Sequence, residues 1–326
     1  MQAGPGETLR LPQQSTSPAP QPPPFDETNV TEPTCHKPVM LAEVVEWLQA
    51  TPAKVLVDGT LGGGGHTAEL ARQVLPSGRV LAIDLDPEAL DRAQAALEGL
   101  PVEVAIGSYT AIPKLLREHG LLHVDGILLD LGLSSDQLAD HDRGFSFQSD
   151  GTLDLRFDRT RGEPAWKLLA RIDEKSLANI IYQYGEERLS RRIARKLVAQ
   201  RRENPIRTAD QLANLVRHCV PRSKKGHRID PATRTFQALR IAVNEELTQL
   251  EQALKHLPDC LAPDGRLAII SFHSLEDRLV KHAFRSDPRL QVLTKSPLLP
   301  SETETTENPR ARSAKLRVAK RKSQTN

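Results

Sequence analysis

One stretch constrains the fold of this chain more than any other: Val55-Leu-Val-Asp58-Gly59-Thr-Leu-Gly62-Gly63-Gly64-Gly65-His66-Thr67. An apolar run breaks into glycines, and these run straight into a helical pattern at 68–75. That order reads as strand, tight turn, helix. A second apolar run, Val80-Leu-Ala-Ile83, ends in Asp84 just before Asp86-Pro87. The two units outline a nucleotide-type ligand site at the carboxyl ends of parallel strands. Glycines let a ligand approach the backbone closely. An acid at the end of the next strand accepts hydrogen bonds from a ribose diol. NAD and S-adenosylmethionine both carry adenosine, so Asp84 does not separate them. The turn lacks a clean G-x-G-x-x-G, although Gly59, Gly62 and Gly65 fit it loosely. Asp58 would repel a pyrophosphate and suits a sulfonium or amino group. The residues alone favour a methyl donor over a dinucleotide, with a ligand-free glycine turn as the remaining reading.

The rest of the chain extends this rhythm. Residues 39–48 have the pattern of an amphipathic helix. Strands are expected near 55–58, 80–84, 102–106 and 126–130, with helices at 66–75, 87–98 and 109–119 between them. Strands alternating with helices imply a parallel sheet covered on both faces. The alternation stops after Asp130. Residues 138–230 show loops and helices, near 174–183, 186–202 and 208–219, and no convincing strand. It resumes with one long helix from Ala232 to about Leu257, a strand at 266–272 and a helix at 275–284. Residues 290–294 and 314–319 fit a closing hairpin around a polar loop at 297–312. The expected fold is therefore α/β with an inserted all-helical domain. The sheet domain is discontinuous, 35–137 and 231–322, and the insert spans 138–230. Residues 1–34, rich in Pro, Gln, Ser and Thr, read as a disordered tail that is too poor in apolar side chains to fold.

Net charge is only +2, so the partner shows in the distribution of charge rather than its sum. Residues 185–234 hold 14 Lys and Arg against 5 Asp and Glu. Arg188, Arg191, Arg192, Arg195 and Lys196 recur at helical spacing; Arg222, Lys224, Lys225, Arg228 and Arg234 follow. Such a surface suits phosphates, as does the basic stretch 310–322, although a charge run is also an ordinary solvated face. The three cysteines, Cys35, Cys219 and Cys260, are far apart, which gives no metal-ligand spacing and no disulfide framework. No apolar run is long enough to span a bilayer, and no signal peptide is evident. A cytoplasmic protein with no metal is expected; oligomeric state is not legible.

Several long blocks, in one order, resemble the bacterial 16S rRNA (cytosine-N4)-methyltransferase family. They are His36–Leu41, Asp58–His66, Ile83–Pro87, Asp125–Ser135, Arg143–Phe147, Tyr184–Arg188, Pro231–Arg240, Ile270–Arg278 and Asn308–Lys315. The resemblance covers about 36–320, including the insert. It implies a Rossmann-like class I methyltransferase sheet and S-adenosyl-L-methionine as cofactor. It also implies a cytidine in the decoding region of 16S rRNA, within the small ribosomal subunit, as substrate. Its cofactor-binding positions fall on Gly64, Gly65, His66, Asp84, Tyr109, Asp130 and Gln137. Tyr109 replaces the family's frequent phenylalanine and keeps a ring there.

The chemistry of the candidates follows from the reaction. The cytosine amine is a poor nucleophile because its lone pair is delocalised into the ring. A catalyst must hold that nitrogen in line with the sulfonium methyl, and an acceptor on an N–H favours the charge that develops. Asp130, at the end of the fourth strand, is the candidate catalytic residue; the carbonyls of 131–134 are rivals, as is a purely cofactor-binding Asp130. Other amino-methyltransferases carry Asp/Asn-Pro-Pro-aromatic here, whereas this chain has Asp130-Leu-Gly-Leu-Ser-Ser135. Neither Asp130-Leu-Gly nor Ser271-Phe-His273 offers a thiolate, which argues against methylation at C5. Candidate RNA contacts are Arg191, Arg195, Arg228, Arg234 and His273. The competing functions are methylation of another acceptor, such as a ribose 2′-hydroxyl, and a non-catalytic RNA-binding assembly factor.

Overall fold

A computed structural model describes residues 37–147, 150–221 and 230–323. The proline-rich segment 1–34, Cys35 and Arg228 lie outside the described residues.

Seven strands form one sheet: β1 Val55–Asp58, β2 Arg79–Asp84, β3 Val102–Ile106, β4 Val124–Asp130, β5 Leu261–Ser271, β6 Leu290–Val292 and β7 Lys315–Arg321. Their order is β3-β2-β1-β4-β5-β7-β6. The first five pair in parallel, and β7 runs antiparallel to both β5 and β6. The order reverses between β1 and β4, and the crevice outside the strand ends at such a reversal is where this architecture binds ligands. β1 ends in Asp58 and the glycines; β4 ends in Asp130.

Strand residues alternate between two cores. Val57, Leu81, Ile83, Ile127, Leu129, Leu267 and Ile269 pack on one face, against Leu250, Leu254 and Leu257. Leu56, Val80, Leu128, Ala268, Ile270, Leu316 and Val318 pack on the other, against Val44 and Leu70. Burial on both faces explains the unbroken apolar runs of the sequence. Each such Val, Leu or Ile side chain contributes about 1.5–3 kcal/mol of transfer free energy.

The insert has a core of its own. Helices Ala165–Arg171, Glu174–Gly185, Ser190–Glu203 and Ala209–Cys219 bury Leu169, Leu177, Ile181, Ile193, Leu197, Leu212 and Val216 together. Among the described residues of 138–230 the only strand-like pairing is the bridge Thr152–Thr208.

Three expectations are corrected. The segment expected as one helix from 232 to 257 is two, Thr233–Asn244 and Glu246–Cys260, broken at Glu245 with φ of 52°. The first packs Phe236 and Leu239 into the insert's core; the second packs Leu250, Leu254 and Leu257 on the sheet. Periodicity alone does not show the break, because each half is amphipathic. The polar loop at 297–312 contains a helix, Glu302–Glu307, whose first turn is capped by the Ser301 hydroxyl accepting from the Glu304 amide. The strand expected at 266–272 begins earlier, at Leu261, with a register shift against Val124–Gly126. The closing hairpin forms as expected, with Leu290 opposite Arg321.

Candidate active site

A cavity of about 600 Å³ opens outside the ends of β1, β2 and β4. The glycine turn forms its floor. Gly64 takes φ of 81°, a left-handed conformation that suits glycine, and a Cβ there would meet Ala93 at 3.0 Å. A Cβ on Gly65 would lie 2.4 Å from Pro38 Cγ. Gly62, Gly63 and Gly65 line the cavity, whereas Gly64 faces the neighbouring helix, so of the two glycines singled out in the sequence only Gly65 borders the space.

Asp58 departs from its expected role. It is fully buried, with Oδ1 accepting from the Thr60 amide at 3.1 Å and Oδ2 from the Thr67 hydroxyl at 2.7 Å. Its carboxylate fastens the two ends of the glycine turn and does not line the cavity. Asp84 does line it. Oδ2 accepts from the Gly62 amide at 2.8 Å and Oδ1 from the Asp86 amide at 2.8 Å. Each oxygen keeps a lone pair for a further donor. Burial pushes its pKa up to about 6, against the lowering effect of those two amides. Asp86 caps the following helix through the Glu88 amide at 3.1 Å, as a residue before Pro87 should.

Asp86 also anchors a buried network. Its Oδ2 receives Arg143 Nη1 at 2.5 Å, Arg92 Nη2 at 3.0 Å and Gln137 Nε2 at 3.3 Å. Burial alone would raise its pKa; these donors bring it below the usual carboxylate range. Gln137 lines the cavity, but its side chain is committed to this bond and to the Ser134 amide at 3.1 Å, a capping box. Arg143 Nη2 continues to the carbonyls of Arg156 at 3.1 Å and Phe157 at 2.7 Å, which fixes the loop that turns Phe157 into the cavity.

At the end of β4, Asp130 faces His66. His66 Nε2 donates to the Val39 carbonyl at 2.9 Å, and Nδ1 lies 3.5 Å from Asp130 Oδ2. The other oxygen, Oδ1, is buried with no hydrogen-bond partner. Burial raises the Asp130 pKa to about 6, with His66 opposing and Asp58 adding to the rise. Tyr109 borders the cavity just ahead of the helix Ile112–Glu118; burial, and then the charges of Glu246 and Glu276, push its phenol up. Ser108 donates to Gln249 Oε1 at 2.6 Å beside it.

The far wall was not singled out as a site in the sequence. It holds Phe157, Arg240, Glu246, Phe272, Glu276 and Arg310. Four of these sit in the blocks Pro231–Arg240, Ile270–Arg278 and Asn308–Lys315, so the signal was present there without a role attached. Glu246 accepts from Arg240 through both oxygens, at 2.8 Å each. Burial raises Glu246, and Arg240 opposes the rise. Arg310 Nη2 donates to the Leu133 carbonyl at 2.5 Å. Glu246, His273 and Glu276 bring potential metal-ligand atoms within 4.8 Å of one another, but Arg240 already supplies a cation to this set.

The residues expected at an RNA surface divide. Arg191 and Arg195 are exposed on Ser190–Glu203, opposite its buried Ile193 and Leu197. Arg195 Nε is 3.6 Å from Glu174, and Arg234 Nη1 is 3.6 Å from Glu187. His273 is elsewhere. Its side chain is nine-tenths buried and caps Ser274–Ser286, with Nδ1 accepting from the Glu276 amide at 3.4 Å. Cys219 and Cys260 are buried free thiols. Among the described residues no helix is long and apolar enough to cross a membrane.

The strand order, the antiparallel β7 and the glycine turn at the reversal define a Rossmann-like class I methyltransferase. The chain belongs to the MraW methylase family, whose model matches residues 33–322. It is 51% identical over 299 residues to a ribosomal RNA small subunit methyltransferase H from Rhodopirellula baltica, covering 88% of this chain and 92% of that one. Its counterpart of the same name in Deinococcus radiodurans is 51% identical over 298 residues, covering 90% and 93%. That in Thermomicrobium roseum is 46% identical over 308 residues, covering 88% and 94%.

Proposed function

We propose that the protein transfers the methyl group of S-adenosylmethionine to the exocyclic N4 of a cytidine in the decoding region of 16S rRNA, on the small ribosomal subunit in the cytoplasm. The observation that carries this reading is the cavity itself, which joins Asp84 and the glycine turn to Asp130, an acid whose buried Oδ1 has no hydrogen-bond partner. An RNA-binding factor without catalysis has no use for that combination.

The residues present fit the methyl donor. Asp84 offers carboxylate lone pairs to a ribose diol at the end of β2. The close approach of Gly65 to Pro38 leaves no room for a Cβ beside the turn. Buried carboxylates that exceed the nearby cations suit a ligand carrying a sulfonium and an ammonium. When bound, that ligand supplies an electrophilic methyl group in one displacement.

The chain's own residues then act on the amine. The Asp130 carboxylate accepts one N4–H, which orients the nitrogen and favours the positive charge it gains. The proton released from N4 passes to Asp130, and the adjacent His66 Nδ1 is placed to share it through Oδ2. Phe157 and Phe272 keep water from the acceptor side. The insert at 138–230 serves as the RNA-recognition domain, with Arg191 and Arg195 on its phosphate-facing helix.

The test is methyl transfer to purified small subunits that lack the modification, followed by nucleoside mass spectrometry. N4-methylcytidine is the expected product. A 2′-O-methyl product, or no transfer from protein that binds the donor, would overturn the reading.

A further inference from the structure

The helix break at Glu245 places two residues together that an unbroken helix would keep apart. Arg240 and Glu246 are six positions apart, about 240° around a regular helix, on different faces. With Glu245 at φ 52° the second helix starts in a new direction. Glu246 then meets the Arg240 guanidinium twice, through Nε and Nη2. The break is held on both sides: Asn244 Nδ2 donates to the Leu155 carbonyl at 2.7 Å, and Gln249 Nε2 donates to the Asn244 carbonyl at 2.9 Å. Glu245 is thus a non-glycine residue in the left-handed region, which stores backbone strain at the join of the two helices.

The pair is also placed at the cavity. Arg240 and Glu246 both line it, and the guanidinium lies 5.9 Å from the Phe157 ring centroid. Phe272, at the end of β5, lines the same space. Asp130 at the end of β4 and Glu276 line this cavity too, so the pair and the end of β4 border one space. An apolar pair of similar volume would be at least as stable in a purely structural position.

We infer that Glu246 and Arg240, with Phe157 and Phe272, form the subsite that holds the target base and reads it as cytosine. This rests on the methyl-transfer reading above. A base inside a helix cannot reach a buried donor, so it must be turned out, stacked on aromatic or apolar side chains and read along its Watson–Crick edge. Cytosine presents N4–H as a donor beside N3 as an acceptor. A carboxylate beside a guanidinium presents the complement. Glu246 accepts one N4–H, and Arg240 donates to N3 through Nη1, which takes part in neither bond to Glu246. Asp130 takes the second N4–H. Uracil presents O4 and N3–H at the same positions, which sets O4 against the carboxylate and N3–H against the guanidinium.

The test compares the wild-type protein with Glu246→Gln and with the double variant Arg240→Met/Glu246→Leu, which removes both charges together and keeps side-chain volume. The donor's Kd by calorimetry should stay within about threefold of wild type in both, and kcat/KM for small subunits should fall at least a hundredfold. Near-wild-type transfer by either variant overturns the subsite. Should the variants fail to fold, competition on the unaltered enzyme decides. Cytidine monophosphate should inhibit transfer at least tenfold more strongly than uridine monophosphate, and no such preference overturns the assignment. Failure of the wild-type enzyme to make N4-methylcytidine would instead be a failure of the proposed function.

Discussion

His66 Nδ1 lies 3.5 Å from Asp130 Oδ2 while Nε2 of the same ring donates to the Val39 carbonyl at 2.9 Å. A carbonyl only accepts, so Nε2 carries a hydrogen in every protonation state that keeps this bond. The contact between Nδ1 and Oδ2 is then favourable with one proton between them and repulsive with none. Burial has already raised Asp130 to about 6. The pair is thus a reservoir for one proton at the edge of the cavity that Asp130 lines.

This arrangement predicts an acid limb in the pH–rate profile. Asp130 must be ionised to accept an N4–H, so kcat at saturating methyl donor should fall as pH drops through about 6, or somewhat lower once a cationic ligand is bound. Saturation keeps the titration of Asp84, also near 6, out of the profile. Asp130→Asn should lower kcat by roughly 10²–10⁴, the range for loss of a positioned base, and abolish the limb. A limb that persists unchanged in Asp130→Asn assigns the titration to another group.

The same residue should cost stability when no ligand is present. An acid raised from 3.8 to about 6 in the folded state favours folding below pH 4, and that contribution is lost as pH rises through 6. At pH 8 the carboxylate is ionised and desolvated. Asp130→Asn removes the charge, and its amide can donate to His66 Nδ1. The ligand-free variant should therefore be more stable than wild type at pH 8, by about 1–3 kcal/mol, and the difference should vanish near pH 4. Thermal unfolding at the two pH values measures it. A variant equally stable or less stable at pH 8 would show that the carboxylate is not strained.

Asp84 carries the ribose assignment. Replacing it by Ala should weaken donor binding by about 1.5–3 kcal/mol, as for other hydrogen bonds to a charged group. Part of any loss comes from the Gly62 and Asp86 amides, which Asp84 also holds. Calorimetry with S-adenosylmethionine and with S-adenosylhomocysteine separates the two effects, since both ligands share the ribose. Unchanged affinity in a folded variant would remove Asp84 from the site.

Arg143 is 1% exposed and ties Asp86 to the Phe157 loop. Arg143→Ala leaves Asp86 Oδ2 with Arg92 and Gln137 only and frees two carbonyls. Breaking one partner of a buried pair typically costs about 3–5 kcal/mol. Denaturant unfolding should show a loss of that size. A loss under 1 kcal/mol would mean that water or Arg92 replaces the guanidinium.

Much of the site was legible in the sequence where it is local. The strand–glycine–helix unit, Asp84 at the end of β2 and Asp130 at the end of β4 each follow from a short pattern. The contacts that decide roles were not. Asp58 looked like a ligand group because its carboxylate stands beside the glycines; that it bonds Thr60 and Thr67 instead is a matter of side-chain direction. His273 looked like an RNA contact, but it caps a helix that starts one position later. The far wall depends on the break at Glu245, and neither half of 232–257 loses its amphipathic period there. Arg240 and Glu246 are invisible as a pair until that turn is known.

The final prediction concerns the basic helix of the insert. Arg191 and Arg195 are four residues apart on the exposed face of Ser190–Glu203, and the sequence places Arg192 and Lys196 beside them. The ion pair of Arg195 with Glu174, at 3.6 Å between largely exposed groups, is weak and screened by salt. Phosphates can therefore compete for the guanidinium at little expense. Reversing both charges, Arg191→Glu with Arg195→Glu, should weaken binding to small subunits and leave the affinity for S-adenosylmethionine unchanged, because neither residue lines the cavity. Each phosphate that goes unneutralised should also flatten the dependence of log K on log salt by a slope of roughly one. Binding measured across a salt series reads both effects together. Weaker binding with an unaltered slope would point to a disturbed helix rather than to phosphates left unneutralised. Unaltered affinity and slope would move the RNA surface away from this helix, with the basic stretch 222–234 as the next place to reverse charge.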